Sequence, residues 1–229
     1  MFRLSKWYLD LVTDHGAVLI LYAARLRWAH VGLHYASVLH IEDGAVACDR
    51  TTFRRVDRPL LESDLLTWSC DRLGVEGEWR RDADPLDCTL ADGPAGMIRW
   101  SCHMPRARAQ VRIGQRELCG FGYAESLCVT IRPSRLPFHE LRWGRHLSPE
   151  HAAVWIEWDE APETHWAWID GVRTPDFSRA RDLRFTDSRN VRNRRIVGLH
   201  EHKQVSRSAI VRDGRPIDAG WAIHEVVQR

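Results

Sequence analysis

The chain of 229 residues sets 33 Lys and Arg against 31 Asp and Glu, for a formal net charge of +2, with 44% hydrophobic and 28% charged residues. This length suits one large domain or two small ones, and so even a balance gives no general pull towards nucleic acid or anionic lipid. The longest apolar run, residues 17–24, is far shorter than the roughly 20 residues of a membrane-spanning helix, and the first ten residues lack the features of a secretion signal. A cytoplasmic protein with no integral membrane segment is the expectation. None of the six cysteines forms a C-x-x-C pair, which predicts reduced and mostly buried thiols.

The chain opens with Trp7-Tyr8-Leu9-Asp10, followed by His15-Gly16 and a second apolar stretch over 17–28, which together read as a hairpin. Residues 30–41 alternate well enough for a half-buried strand, Asp43-Gly44 supplies a turn, and 44–54 continues the meander. Residues 57–74 have the most helical character, with Pro59 in a first turn after Asp57 and Gly74 as a stop, so a short helix or turn is expected before a strand around Trp68. Further strands at Trp79, 86–90, 96–103 and 106–113, with turns at Asp92-Gly93 and Ile113-Gly114, lead to Gly120-Phe121-Gly122-Tyr123-Ala124-Glu125. There the alternating glycines clear one face, and Phe121, Tyr123 and Glu125 share the other.

After residue 127 the pattern starts again. Strands are expected over 140–144, 152–158 and 165–169, with a turn at Asp170-Gly171, and a Gly-aromatic strand closes the chain at Gly220-Trp221. Residues 219–225 loosely echo 119–125, so two halves of similar length point to an internal duplication. With Pro133, Ser134 and Pro137 as the joint, the expected units are residues 1–126 and 127–229. The fold class expected is all-β: two antiparallel β-barrel units with little helix, against the alternative of a single open β-sandwich.

Trp7-Tyr8-Leu9-Asp10 with Asp14-His15-Gly16, Trp68-Ser69, residues 111–125, Trp143-Gly144 and Gly220-Trp221 resemble the carotenoid 1,2-hydratase (hydroxyneurosporene synthase) and AttH-like superfamily. That resemblance implies two lipocalin-like (calycin) barrels, and hydration of isoprenoid double bonds or cyclisation of polyketide-type substrates. In the family motif G-x-G-[YW]-x-D-H, Tyr123 matches the aromatic residue and Glu125 the acid, whereas Ser126 stands in the histidine position.

Acid-assisted hydration, isomerisation or cyclisation of an alkene needs a proton donor, exclusion of bulk water and walls that tolerate a carbocation. Glu125 with Tyr123 are the catalytic candidates, because a carboxyl buried among aromatic rings has its pKa raised. Trp7, Tyr8, Asp10, Phe121 and Trp143 are the candidate ligand-binding residues. The competing reading pairs Glu125 with an arginine and makes it structural. No cofactor is implied. His200-Glu201-His202 lacks the downstream glutamate of a cupin-like metal site, so no metal is expected, and the arginine-rich stretch over 179–195, interleaved with Asp176, Asp182 and Asp187, reads as a solvated sheet edge. The functions expected are an enzyme acting on an apolar, isoprenoid- or polyketide-like molecule, or a non-catalytic lipocalin-like carrier of such a ligand.

Overall fold

In the computed structural model, which describes residues 1–159, 165–196 and 199–229, alternating side chains set the register of an almost wholly antiparallel β-protein. The chain divides between Arg135 and Leu136, beside the 3-10 turn Pro133–Arg135. The strand carrying the Gly120 motif runs on to Val129, past residue 126, and ends within the first unit.

Unit 1, Met1–Arg135, contains β1 (Phe2–Val12), β2 (Val18–Trp28), β3 (Val31–Glu42), β4 (Ala45–Thr52), β5 (Leu60–Glu62), β6 (Leu65–Cys70), β7 (Val75–Arg81), β8 (Leu86–Gly93), β9 (Gly96–Ile113) and β10 (Arg116–Val129). Their order is β4-β3-β2-β1-β10-β9-β7-β6-β5, with β8 on β9. Leu9, Leu11, Leu19, Leu21 and Val38 share one core with Leu66, Trp68, Trp79, Ala109 and Val111. Strands distant in the order thus bury the same face, so the sheet is rolled upon itself. Trp79 Nε1 donates to the Asp10 carbonyl at 2.8 Å, tying β7 to β1 across the roll. Arg50 of β4 reaches the Leu73 carbonyl beyond β6 at 3.1 Å, linking the two ends of the strand order.

Of the short helix or turn expected after Asp57, the structure has the turn and no helix. Leu60–Glu62 pairs with Leu65–Thr67 in a tight hairpin turning at Ser63, whose φ is 52°, and the Asp57 carbonyl accepts from Trp68 Nε1 instead of starting a helix. Cross-strand pairing beside an already formed sheet outweighs the weak helical pattern of Leu61, Leu65 and Leu66. Asp43-Gly44, Asp170-Gly171 and Asp213-Gly214 all adopt positive φ as hairpin turns require. Asp92-Gly93 does not turn; it ends β8, and Pro94-Ala95 make the reversal.

Unit 2, Leu136–Arg229, contains β11 (Glu140–Leu147), β12 (Ala152–Trp158), β13 (His165–Ile169), β14 (Val172–Arg173), the single-turn helix α1 (Arg179–Asp182), β15 (Leu183–Ile196), β16 (Leu199–Arg212), β17 (Arg215–Pro216) and β18 (Gly220–Gln228). Their order is β14-β13-β12-β11-β18-β16-β15. The first long strand of each unit pairs with its last, and a meander follows outward from the first. Gly120 and Gly220 occupy matching places at that seam. A Cβ on Gly120 would lie 2.2 Å from the Val12 carbonyl oxygen, and one on Gly220 2.1 Å from that of Leu147. Glu125 and Glu225 each follow five residues later, so the internal echo is tighter than a loose one. The arginine-rich stretch forms α1 and the edge strand β15, with Arg181 paired to Asp182 and Arg194 to Glu201.

All six cysteines are free, but only Cys70 and Cys102 are buried. Cys119 is exposed, and Cys48, Cys88 and Cys128 are half-buried. The expectation of mostly buried thiols fails because alternation in a rolled sheet leaves every second position of a strand off the core.

Candidate functional site

The motif strand β10 lies between β1 and β9, and its alternation divides the candidates between two faces. Gly122 and Ala124 face the packed core. A Cβ on Gly122 would meet Trp79 at 2.5 Å, so this glycine gives room to an indole. Phe121, Tyr123 and Glu125 point to the opposite face, together with Tyr8 and Asp10 of β1. The interior of the roll is therefore filled by Trp68, Trp79 and the leucines, and the acid stands on the other side of the sheet.

On that other side the register pairs Tyr8 with Glu125 and Asp10 with Tyr123. Each phenol also stands two residues from an acid on its own strand and hydrogen-bonds to it. Tyr8 donates to Asp10 Oδ2 at 2.9 Å, and Tyr123 donates to Glu125 Oε2 at 2.7 Å. Tyrosines and carboxylates thus alternate on a two-by-two lattice, with all four side chains buried. The Tyr8 ring meets Tyr123 edge-on at 6.1 Å and Tyr22 of β2 at 5.3 Å.

Strand β9 supplies the third wall. Trp100 Nε1 also donates to Glu125 Oε2, so two donors converge on one carboxylate oxygen. Cys102, opposite Glu125 in the register, has its thiol pushed well above its usual value by burial, with the Glu125 and Asp10 charges adding to the effect. Burial, followed by the charges of Cys102 and Glu125, likewise raises Tyr123 well above a normal phenol. Tyr123 therefore remains a hydrogen-bond donor throughout the neutral range.

Between Cys102 and Ala107 the β9–β10 ladder slips at two places around Tyr123 and Ala124. Pro105, which has no N–H to donate, lies within the slip. There His103 Nε2 and Ser126 Oγ meet at 2.8 Å, and Trp7 stacks on the imidazole at 4.7 Å. Burial lowers the His103 pKa, Arg81 adds to that, and Asp87 opposes it. Ser126, in the position of the family histidine, thus has an imidazole brought to it from the next strand.

The remaining candidates separate from the lattice. Trp7 packs against the core on the face opposite Tyr8. Phe121 shares the lattice face but lies beneath Arg108, whose guanidinium is 4.2 Å from the ring centre. Trp143 belongs to unit 2, where Lys203 lies 5.2 Å over its ring and forms an ion pair with Glu225. The two related acids therefore have different company: phenol and indole for Glu125, an ammonium for Glu225. Trp100 is not among the residues that sequence reasoning selects; its parity with Cys102 along β9 places it on the face of Glu125. His200 bonds to Asn193 and Glu201 to Arg194, and among the described residues no group of three metal-ligating side chains occurs.

Among the described residues, clefts of about 650, 460 and 270 Å³ have walls of mixed polar and apolar character, and none of the three is lined by Tyr123 or Glu125. No helix among the described residues is long and apolar enough to cross a membrane.

No family model and no curated protein matches the chain. Solved structures do. A Nitrosomonas europaea protein described as AttH aligns over 98% of this chain and 92% of its own, with a TM-score of 0.57 and 13% identity. CghA, in its structure with Sch210972, aligns over 99% and 88% with a TM-score of 0.59 and 12% identity. Kievitone hydratase from Nectria haematococca aligns over 98% and 88% with a TM-score of 0.57 and 13% identity. The tandem lipocalin-like fold is thereby shared along nearly the whole chain, and two of these three neighbours carry the AttH and hydratase names to which the sequence resemblance points.

Proposed function

We propose that this protein binds an apolar, isoprenoid- or polyketide-like small molecule and catalyses its acid-assisted hydration, isomerisation or cyclisation, with Glu125 as the proton-transferring group. The observation that carries this reading is the convergence of Tyr123 and Trp100 on Glu125 Oε2 within a buried aromatic lattice. With Oε2 accepting two hydrogen bonds, the transferable proton resides on Oε1. Its transfer to an alkene carbon uses the π electrons to form the C–H bond and leaves a carbocation beside the Tyr8 and Tyr123 rings, whose faces attract cations. Water can then add and return its proton to the carboxylate, an adjacent C–H can lose its proton, or a second alkene can close a ring. Structural likeness to kievitone hydratase, and to CghA in its structure with Sch210972, supports this reading.

The test is incubation of wild type and Glu125→Gln with a panel of isoprenoid and polyketide-like alkenes in deuterated water. Wild type is expected to place deuterium on carbon in the product, and the variant to bind without turnover. Binding by both without product from either would instead identify a carrier.

A further inference from the structure

We propose that the free end of the β2–β3 hairpin, with the segment after β4, is a docking surface for anionic membrane lipid. The apolar half of the argument lies on one face of the sheet. Phe2, Trp28 and Val31 form one cross-strand row, and Leu4, Leu26 and Leu33 the next. Trp28, Val31 and Leu33 are 52%, 59% and 53% exposed. Phe53, 74% exposed, extends this face, with its ring 5.9 Å from that of Tyr35. An exposed Trp, Phe, Val and Leu gathered at one hairpin end exceed the scattered apolar residues of an ordinary surface.

The occupant follows from the charges. Arg3 and Arg27 stand directly opposite each other on β1 and β2, and Arg25 faces His34 across β2 and β3, all on the reverse face of the same hairpin. Like charges paired across strands oppose sheet formation. No Asp or Glu occurs between Asp14 and Glu42, and none between Asp49 and Asp57, the stretch that holds Arg54 and Arg55 beside Phe53. Among the described residues no ion pair joins Arg3, Arg25, Arg27, Arg54 or Arg55 to a carboxylate. A protein partner of ordinary composition would satisfy the apolar face alone. An anionic bilayer satisfies both faces, because Trp28, Val31 and Leu33 enter the acyl boundary while the guanidinium groups reach the phosphates. The overall charge of +2 conceals this local excess.

The experiment is co-sedimentation of the full chain with vesicles of phosphatidylcholine alone and of phosphatidylcholine mixed with phosphatidylglycerol, at low and high salt. Binding about tenfold or more tighter to the mixed vesicles, weakened by salt, is expected. Arg25→Gln with Arg27→Gln should reduce it to the phosphatidylcholine level. Trp28→Thr with Leu33→Thr should abolish it, with an unchanged melting curve confirming that both variants fold. Absence of wild type from the pellet, equal pelleting with both vesicle types, or wild-type behaviour of folded variants would overturn the proposal. So would a concentration-dependent dimer that the Trp28 and Leu33 substitutions dissolve, since a second copy would then cover the face. Glu125→Gln should pellet as wild type, so this result is separable from the test of the catalytic reading.

Discussion

Tyr8 lies directly across from Glu125 in the β1–β10 register, yet each forms a hydrogen bond along its own strand, Tyr8 to Asp10 and Glu125 from Tyr123. This arrangement gives both acids a phenol donor while keeping the carboxylates on opposite corners of the lattice. Separation matters, because two carboxylates side by side in a buried site resist simultaneous ionisation.

Glu125→Gln distinguishes the catalytic from the structural reading. The amide has the shape of the acid and can accept from Tyr123 and Trp100, but it cannot transfer a proton. Catalysis by Glu125 predicts a fall in turnover of about two orders of magnitude or more with ligand affinity and melting temperature little changed. An unchanged turnover with a lowered melting temperature would make Glu125 a structural acid, its loss leaving a buried partner uncompensated.

The seam glycines predict a pair of matching defects. Gly120→Ala and Gly220→Ala each drive a methyl group into a backbone carbonyl, which cannot rotate away as a side chain can. Each should destabilise the protein by about 1–3 kcal/mol, measured by urea unfolding. Gly32→Ala, whose Cβ would meet nothing within 4 Å, is the control and should be near neutral. A neutral Gly220→Ala would break the equivalence of the two seams.

In unit 2, His224 predicts an acid-sensitive core. It meets Ser206 Oγ at 3.0 Å and the Phe185 ring at 4.9 Å. Burial first, then the charges of Arg179, Lys203 and His202, lower its pKa from 6.5 to about 4. Because the folded value lies below the unfolded one, the neutral form carries the stability, which is present above pH 6.5 and lost as the pH falls towards 4. The loss is roughly 3 kcal/mol. His40 and His103 shift in the same direction, so the comparison with His224→Gln isolates this residue. Equal pH dependence in variant and wild type would remove His224 from the account.

How far the sequence reveals these features depends on the range of the interaction. Strand alternation and Asp-Gly turns are local, so the all-β class and most strands are legible, as is the Tyr123–Glu125 pair on one face. Which face of the sheet fills the roll is not local. It depends on Trp79 docking over Gly122 from three strands away in sequence order, and that places the acid opposite the core. The Trp100 bond to Glu125 and the approach of His103 to Ser126 both need the β9 register, including its slip beside Pro105. The choice between a short helix and a turn near Asp57 is open in the sequence for the same reason, since pairing with a neighbouring strand decides it.

Thiol titration checks the division of the cysteines. In the native protein Cys119 should react readily and Cys48, Cys88 and Cys128 more slowly, whereas Cys70 and Cys102 should react only on unfolding. Cys102 is doubly protected, because it is buried and its pKa is raised, which depletes the reactive thiolate. Six thiols should be counted in the denatured, unreduced protein, and fewer would reveal a disulfide.

Tyr123→Phe separates the phenol from its ring. The aromatic face beside Tyr8 survives, but Glu125 Oε2 loses one of its two donors, and a buried acceptor left short costs about 1–3 kcal/mol. If the hydrogen bond positions Glu125, kcat should fall by about tenfold while ligand affinity holds, since only the orientation of the carboxyl group changes. A second reading comes from alkaline pH. The Tyr123 pKa is raised on folding, so its contribution to stability is complete below pH 10 and declines as the pH rises beyond it. That decline should be shallower in Tyr123→Phe, followed by thermal melts above pH 10. Loss of affinity together with kcat would show that the phenol contacts the ligand itself, and an unchanged alkaline decline would show that other tyrosines control it.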